Sequence, residues 1–450
     1  MIISTVFSFL FATAFYQIFA TFTVFGVEIF SSEIPLLLRE GVFLLWILVI
    51  FILKRDSLKE YFKKWKRCYL SAGILWIFAF LSSYFFFNKS LYDIFVGFKY
   101  CFQWILIFLL STSIGFFYRD QFTSKTLSTR IKWLLAFIVI FWFLWQIMKI
   151  VSPSFFEFLG YTLHLNDYQY GTNPPIYYLT GYEGTLRRQG LFSGPNNYGY
   201  FLCTFFPLVL LFFWEKIKQW KTFSFFQWVN ISILIVRILA MICTFSRAVL
   251  VAWLASLIIL NRNTLKKRKK ILIGVMICGL LWVIGISLWK RDSTSIHLQK
   301  LIEAISVFIS NPLGYGLGSS GPAVHHNGIF LPENYFFQIL FDTGTIGFLC
   351  FLFFCFQLLW ICWLLTKKEI SSNKNSDLPF IFLMFKRFSI GLFALCVMGM
   401  FLHSFEDSMV NYLFFVLFWI IIGKLSFELP WEMQCCNPFS SQFLKQLKTK

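Results

Sequence analysis

The chain has 450 residues, of which 58% are hydrophobic and 22% aromatic; only 14% are charged, and the formal net charge is +19. With a mean hydropathy of +0.70, there is too little polar surface to cover a water-soluble globule. The positive charge does not call for nucleic acid, because Lys and Arg collect in the cytoplasmic loops of membrane proteins. Apolar runs of about 20 residues, enough to cross a bilayer as helix, recur from end to end. The weakly alternating segments of about ten residues that a membrane barrel needs are not evident. The expected fold is all-α, one polytopic bundle of about 12 spans.

In chain order the spans are expected near 3–28, 37–54, 69–87, 95–118, 133–150, 195–214, 223–243, 247–261, 271–289, 344–366, 388–405 and 409–424. The first run, MIISTVFSFLFATA, ends like a signal-peptide cleavage site. It has no basic start and continues past that point, so it reads as an uncleaved span. With the N-terminus inside, the cytoplasmic segments 54–67, 119–132, 215–221, 261–270, 367–387 and 424–450 hold 29 of the 40 Lys and Arg residues. That imbalance sets the orientation, with both termini cytoplasmic and 425–450 as a cytoplasmic tail. The amphipathic piece 54–67 is expected to lie on the inner membrane surface. Two long segments, 151–194 and 290–343, then face outward. All five histidines, His164, His297, His325, His326 and His403, fall in or beside outward-facing positions. The 11 cysteines sit mostly in apolar runs and show neither a disulfide framework nor metal-ligand spacing.

Three polar constellations interrupt this pattern. The first is TLRRQGLFSGPNNYGYF, in which Arg187 and Arg188 precede a turn rich in Gly, Pro and Asn. Outward arginines suit an anionic partner, since a guanidinium donates two parallel hydrogen bonds to phosphate oxygens; lipid headgroups, or Glu183, would also satisfy them. The second is TFSRAVL, where Arg247 lies between two spans and Arg237 sits inside the preceding one. An ionisable group at membrane depth costs roughly 2.5–3.5 kcal/mol, so it is expected to face a polar cavity. Lys99, inside the fourth span, is a weaker case of the same kind.

The third constellation is the longest polar interruption, residues 290–347. It contains His297, the turn NPLGYGLGSSG, whose backbone N–H groups suit an anion-binding nest, His326-Asn327, and Glu333-Asn334 with Asp342 nine residues on. A carboxylate against an apolar wall has a raised pKa and can act as general base or acid. At Glu333 the plainer alternative is a charge favoured by a helix N-terminus.

Together, in this order and topology, RRQGLFSGPNN (187–197), FSRA (245–248), NPLGYGLG (311–318) and ENYFFQILFDTGTIGF (333–348) resemble the O-antigen ligase/polymerase superfamily. Its members are bacterial inner-membrane glycosyltransferases that move glycans from an undecaprenyl-diphosphate carrier on the outer face. The resemblance covers about a third of the chain. It implies that the family arginines fall on Arg187 or Arg188 and on Arg247, where they bind the donor diphosphate, and that His297 contacts phosphate or orients the acceptor. Ligases carry a catalytic His-Asn where this chain has Glu333-Asn334; His326-Asn327 lies seven residues too early. Glu333, with His326 in reserve, is thus the expected proton acceptor, with Arg237, Asn334 and Asp342 in support. The implied activity is inverting and metal-independent; no cofactor is called for, and the sequence has no Asp-x-Asp pair. The implied partners are the lipid-linked donor, a glycan, lipid-core or protein acceptor, and the bilayer. A transporter of lipid-linked or small solutes and a non-catalytic envelope assembly protein are the rival classes.

Overall fold

The computed structural model describes residues 2–14, 23–24, 27–28, 33–159, 161–162, 178–180, 185–187, 189–190, 192, 194–214 and 225–260. It further describes single helical positions between 274 and 288, then 291–321, 329–368, 378–405 and 407–427. The helices are α1 (Ile2–Ala14), α2 (Glu33–Leu53), α3 (Arg55–Leu81), α4 (Leu91–Phe117), α5 (Ser124–Val151), α6 (Pro153–Phe158) and α7 (Pro195–Val209). They continue with α8 (Phe225–Cys243), α9 (Arg247–Leu260), α10 (Arg291–Ser310), α11 (Tyr335–Lys368), α12 (Leu378–Gly399) and α13 (Ser408–Phe427). Strand is confined, among the described residues, to two antiparallel pairs, β1–β2 (Thr23–Val24, Val27–Glu28) and β3–β4 (Tyr178–Thr180, Thr185–Arg187). The chain is therefore all-α in class. Among the described residues, six helices are long and apolar enough to cross a membrane, and four shorter apolar helices accompany them.

α13 is the axis of the bundle. Its sequence, SMVNYLFFVLFWIIIGKLSF, has no polar face, and a helix apolar on every side must be covered on every side; nearly all of it is buried. It lies parallel to α4. Trp104 packs on Phe415 at 5.5 Å, Phe108 on Trp419 at 4.6 Å and Phe116 on Phe427 at 5.7 Å. α7 and α9 are also parallel, with Gly199 against Val249 and Phe206 against Trp253. α3 and α11 are antiparallel, with Ser71 bonded to Gln357 and Phe78 beside Gly347. These relative directions agree with the alternation expected for the corresponding spans.

Three expectations change. Among the described residues, the run 3–28 is not one continuous helix: it opens with the 13-residue α1 and closes with the β1–β2 pair. The amphipathic piece 54–67, expected on the inner membrane surface, forms the first turns of α3 and buries one side of them. Tyr61 and Trp65 recur every four residues and bury themselves: the Tyr61 hydroxyl donates to Leu109 O at 2.9 Å, and Trp65 packs edge-on to Phe108. Finally, the span expected at 344–366 begins at Tyr335. This brings Asp342, expected in the outer loop, into the helix, where it is fully buried.

Candidate active site at one end of the bundle

α11 starts where its sequence supplies a cap. Asn334 Oδ1 accepts from the backbone N–H groups of Phe336 and Phe337 at 2.9 and 3.1 Å, satisfying donors that the first turn leaves open. Asn334 Nδ2 donates to Met400 O at 2.6 Å, tying this start to the end of α12. Tyr335 follows inward, fully buried, accepting from Trp104 Nε1 at 2.7 Å and donating to Cys101 O at 2.5 Å.

Nine residues into the span the helix breaks. Gly344 has φ 65° and ψ −178°, which only glycine adopts without strain. The Gly-rich turn after α10 fills the break: Thr345 N and Oγ1 donate to Pro312 O at 2.9 and 2.8 Å, and Tyr315 N donates to Phe341 O at 2.8 Å. The same turn presses on α4. A β-carbon on Gly318 would lie 2.3 Å from Asp93 O. The anion that this turn binds belongs to the chain itself. Asp342 Oδ1 accepts from Ser320 N at 2.9 Å and Ser320 Oγ at 2.7 Å; its Oδ2 accepts from Gly318 N at 3.2 Å and Cys101 Sγ at 3.4 Å. The anion-binding nest suggested over 311–321 is thus filled from within the chain, because Asp342 occupies two of the N–H donors.

Glu333 caps this assembly outside the helix. Its φ of 49° is unusual for a side chain with a β-carbon, and such strain concentrates at functional positions. Its carboxylate is ion-paired to His297 Nδ1 and to Lys300 Nζ, the latter at 2.5 Å. His297 and Lys300 are three residues apart, and so they share one face of α10. Burial pushes the Glu333 carboxyl up, but the hydrogen bonds and charges of His297 and Lys300 outweigh it and hold the pKa at about 2. The expected raised pKa is thus reversed, because the sequence argument supplied the apolar wall without the cations. Lys300 had a readable signal, its spacing from His297. A further pair, His403 Nδ1 and Gln338 Oε1 at 3.0 Å, lies one turn along α11 from Asn334, and no sequence pattern singled it out.

The arginines gather on the neighbouring helices. β3–β4 pairing sets Arg187 opposite Tyr178. Arg187 Nη2 donates to Asn196 Oδ1 at 2.8 Å, closing the RRQGLFSGPNN turn, and its Nε donates to Thr244 O at 2.8 Å. Thr244 begins the α8–α9 turn, in which Phe245 has φ 49°, Ser246 Oγ is buried with no hydrogen-bond partner among the described residues, and Arg247 is half-buried. Two motifs 57 residues apart in sequence thus meet through one hydrogen bond. The turn itself is seated on α5, where Gln146 Nε2 donates to Gly190 O and Trp142 packs against Phe192.

Arg237 is elsewhere. It is fully buried in α8 and donates to Phe201 O and Leu202 O of α7, one turn before Pro207. The carbonyl that Pro207 leaves without a helical donor is that of Cys203; Arg237 instead adds charged donors to the two carbonyls just before it. Arg188 and the pair His326-Asn327 lie outside the described residues. The Glu333 and Arg187 clusters lie at the same end of the bundle, since α7, α9 and α12 interlock (Gly199 with Val249, Gly391 with Thr204) and Asn334 reaches the end of α12.

Residues 231–352 match the family model described as O-antigen ligase. That match supports the resemblance to the O-antigen ligase/polymerase superfamily. The ligase match runs from α8 through the first half of α11 and takes in Arg247, His297, Glu333 and Asp342; Arg187 and Arg188 precede it. No curated protein and no solved structure matches the chain. The ligase match and the several apolar helices of membrane-spanning length support a membrane protein of polysaccharide biosynthesis.

Proposed function

We propose that this protein transfers an oligosaccharide from an undecaprenyl-diphosphate carrier to a hydroxyl acceptor, on the outer face of the bacterial inner membrane, in the assembly of cell-surface polysaccharide. The observation that carries the reading is the ligase match over the stretch that holds Arg247, His297 and Glu333, together with their convergence at one end of the bundle. Arg187, Arg188 and Arg247 bind the diphosphate and stabilise the charge that grows on it as the bond from sugar C1 to phosphate oxygen breaks. The acceptor oxygen attacks C1 from the opposite face, inverting it, and the diphosphate leaves with the bonding electrons.

The proton of the acceptor hydroxyl needs a base. Glu333, held at about pKa 2, is a weak one near neutral pH. The hydrogen bond from His297 Nδ1 to Glu333 favours a division of labour in which His297 takes the proton on Nε2 while Glu333 orients the ring and stabilises the imidazolium that then forms. Lys300 keeps Glu333 ionised and in place, and His326 stays the reserve base.

The test uses the protein in liposomes with a lipid-diphosphate-linked glycan labelled in the sugar. Label passing into longer lipid-linked chains identifies a polymerase; label passing to an added lipid core or protein identifies a ligase. Native membranes lacking the protein but still making full-length glycan would refute the transferase reading and favour the transporter.

A further inference from the structure

At the end of the bundle opposite Glu333, a cleft of about 460 Å³ opens between α3 and the far half of α11. The two helices run antiparallel along it and are joined at its floor by Ser71 Oγ and Gln357 Oε1 at 3.3 Å. Its mouth is basic: Lys63, Lys64, Lys66 and Arg67 follow one another around little more than one turn of α3. Lys64 reaches across to the last turn of α13, donating to Ser426 O and Phe427 O at 3.1 Å each. Lys63, Lys66 and Arg67 are exposed at the rim.

Deeper in, the character changes within two turns. Leu70 and Ile74 on α3 face Phe353 and Phe356 on α11, and all four are exposed, with Phe353 at 56%. Seven residues of helix separate Arg67 from Ile74, about 10 Å at 1.5 Å per residue. A cationic mouth therefore leads into an apolar channel that runs in the membrane direction for about half of one leaflet.

We infer that this cleft is a binding site for an anionic phospholipid of the leaflet opposite the Glu333 end, its phosphate held by Lys63, Lys66 and Arg67 and an acyl chain lying along Leu70, Ile74, Phe353 and Phe356. Scattered surface lysines would attract anionic lipid without placing it. The concave wall gives a single lipid a fixed position, and the cluster of cations at its mouth favours net negative headgroups over zwitterionic ones. Basic pockets between membrane helices take such headgroups through the same combination of charge and apolar contact. The assignment is independent of the transferase reading, since none of these residues belongs to the Glu333 or Arg187 clusters.

The experiment is native mass spectrometry of the whole protein with dioleoyl phosphatidylglycerol, compared with dioleoyl phosphatidylcholine. Wild type should retain phosphatidylglycerol preferentially. The triple variant Lys63→Gln, Lys66→Gln, Arg67→Gln should lose affinity by about fivefold per charge removed. These side chains are exposed, so the variant should elute as folded protein. Phe353→Ala should weaken both lipids. Lys125→Gln with Arg130→Gln, on the basic start of α5, should change nothing. Equal retention of the two lipids would overturn the inference, as would an equal loss in the α5 variant, which would mean diffuse surface attraction. Displacement by inorganic phosphate would replace the lipid with a free anion, and stronger retention of a polyprenyl phosphate would replace it with an isoprenoid carrier; either result overturns the assignment to a phospholipid.

Discussion

Asp342 gives the sharpest test of how the site is built, because a fully buried carboxylate beside a catalytic loop invites a chemical role. Its contacts argue for a structural one. Replacing it by Ala leaves the N–H groups of Gly318 and Ser320 without their acceptor, at a place closed to water, while the Ser320 hydroxyl keeps Gln338 O at 3.3 Å. A buried donor left unmade costs about 1–3 kcal/mol, so the two N–H groups alone place the loss at about 2–6 kcal/mol. Asp342→Asn keeps one acceptor oxygen and turns an NH₂ toward the second set of donors, so its loss should be about half of that. The assay is the temperature at which purified protein in detergent ceases to elute as a single species, with transfer activity measured per folded molecule. The expected order of stability is wild type, then Asn, then Ala, with activity falling in parallel as the Gly-rich turn leaves the break in α11. If Asp342→Ala melts like wild type yet transfers no sugar, the argument is refuted and Asp342 belongs to the chemistry.

Gly344→Ala should destabilise by more than about 2 kcal/mol, since φ is positive and Leu313 O would lie 2.2 Å from the new carbon; Gly41→Ala, with nothing within 4 Å, should be neutral or slightly stabilising in the same melting assay. His297→Ala should lower the transfer rate by about a hundredfold or more, whereas a base on Glu333 alone would leave His297→Ala much more active than Glu333→Gln. Because pairing lowers the Glu333 pKa from 4.5 to about 2, its contribution to stability is complete above pH 4.5 and disappears as pH falls toward 2. The melting difference between wild type and Glu333→Gln should therefore be constant near neutrality and shrink across that window. Arg187→Lys should recover little of the activity lost in Arg187→Ala, because an ammonium cannot reproduce the two directed bonds to Thr244 O and Asn196; full rescue would mean that charge alone matters there.

What the sequence by itself determined is what depends on composition and local order: the membrane class, the all-helical architecture and the three motifs. Hydropathy is a sum over neighbours along the chain, and so it survives without coordinates. Only the tertiary structure decided what those motifs do to one another. Glu333 read alone is a carboxylate at an apolar wall; the cations that reverse its pKa come from α10, more than 30 residues earlier. Asp342 and the Gly-rich turn read as two outward groups, yet they are partners 22 and 24 residues apart, joined inside a broken helix. Arg187 and the FSRA turn become one cluster through a hydrogen bond to a backbone carbonyl, which no side-chain pattern encodes. Electrostatics and buried hydrogen bonds act across space between distant segments, and that information exists only once the bundle has closed.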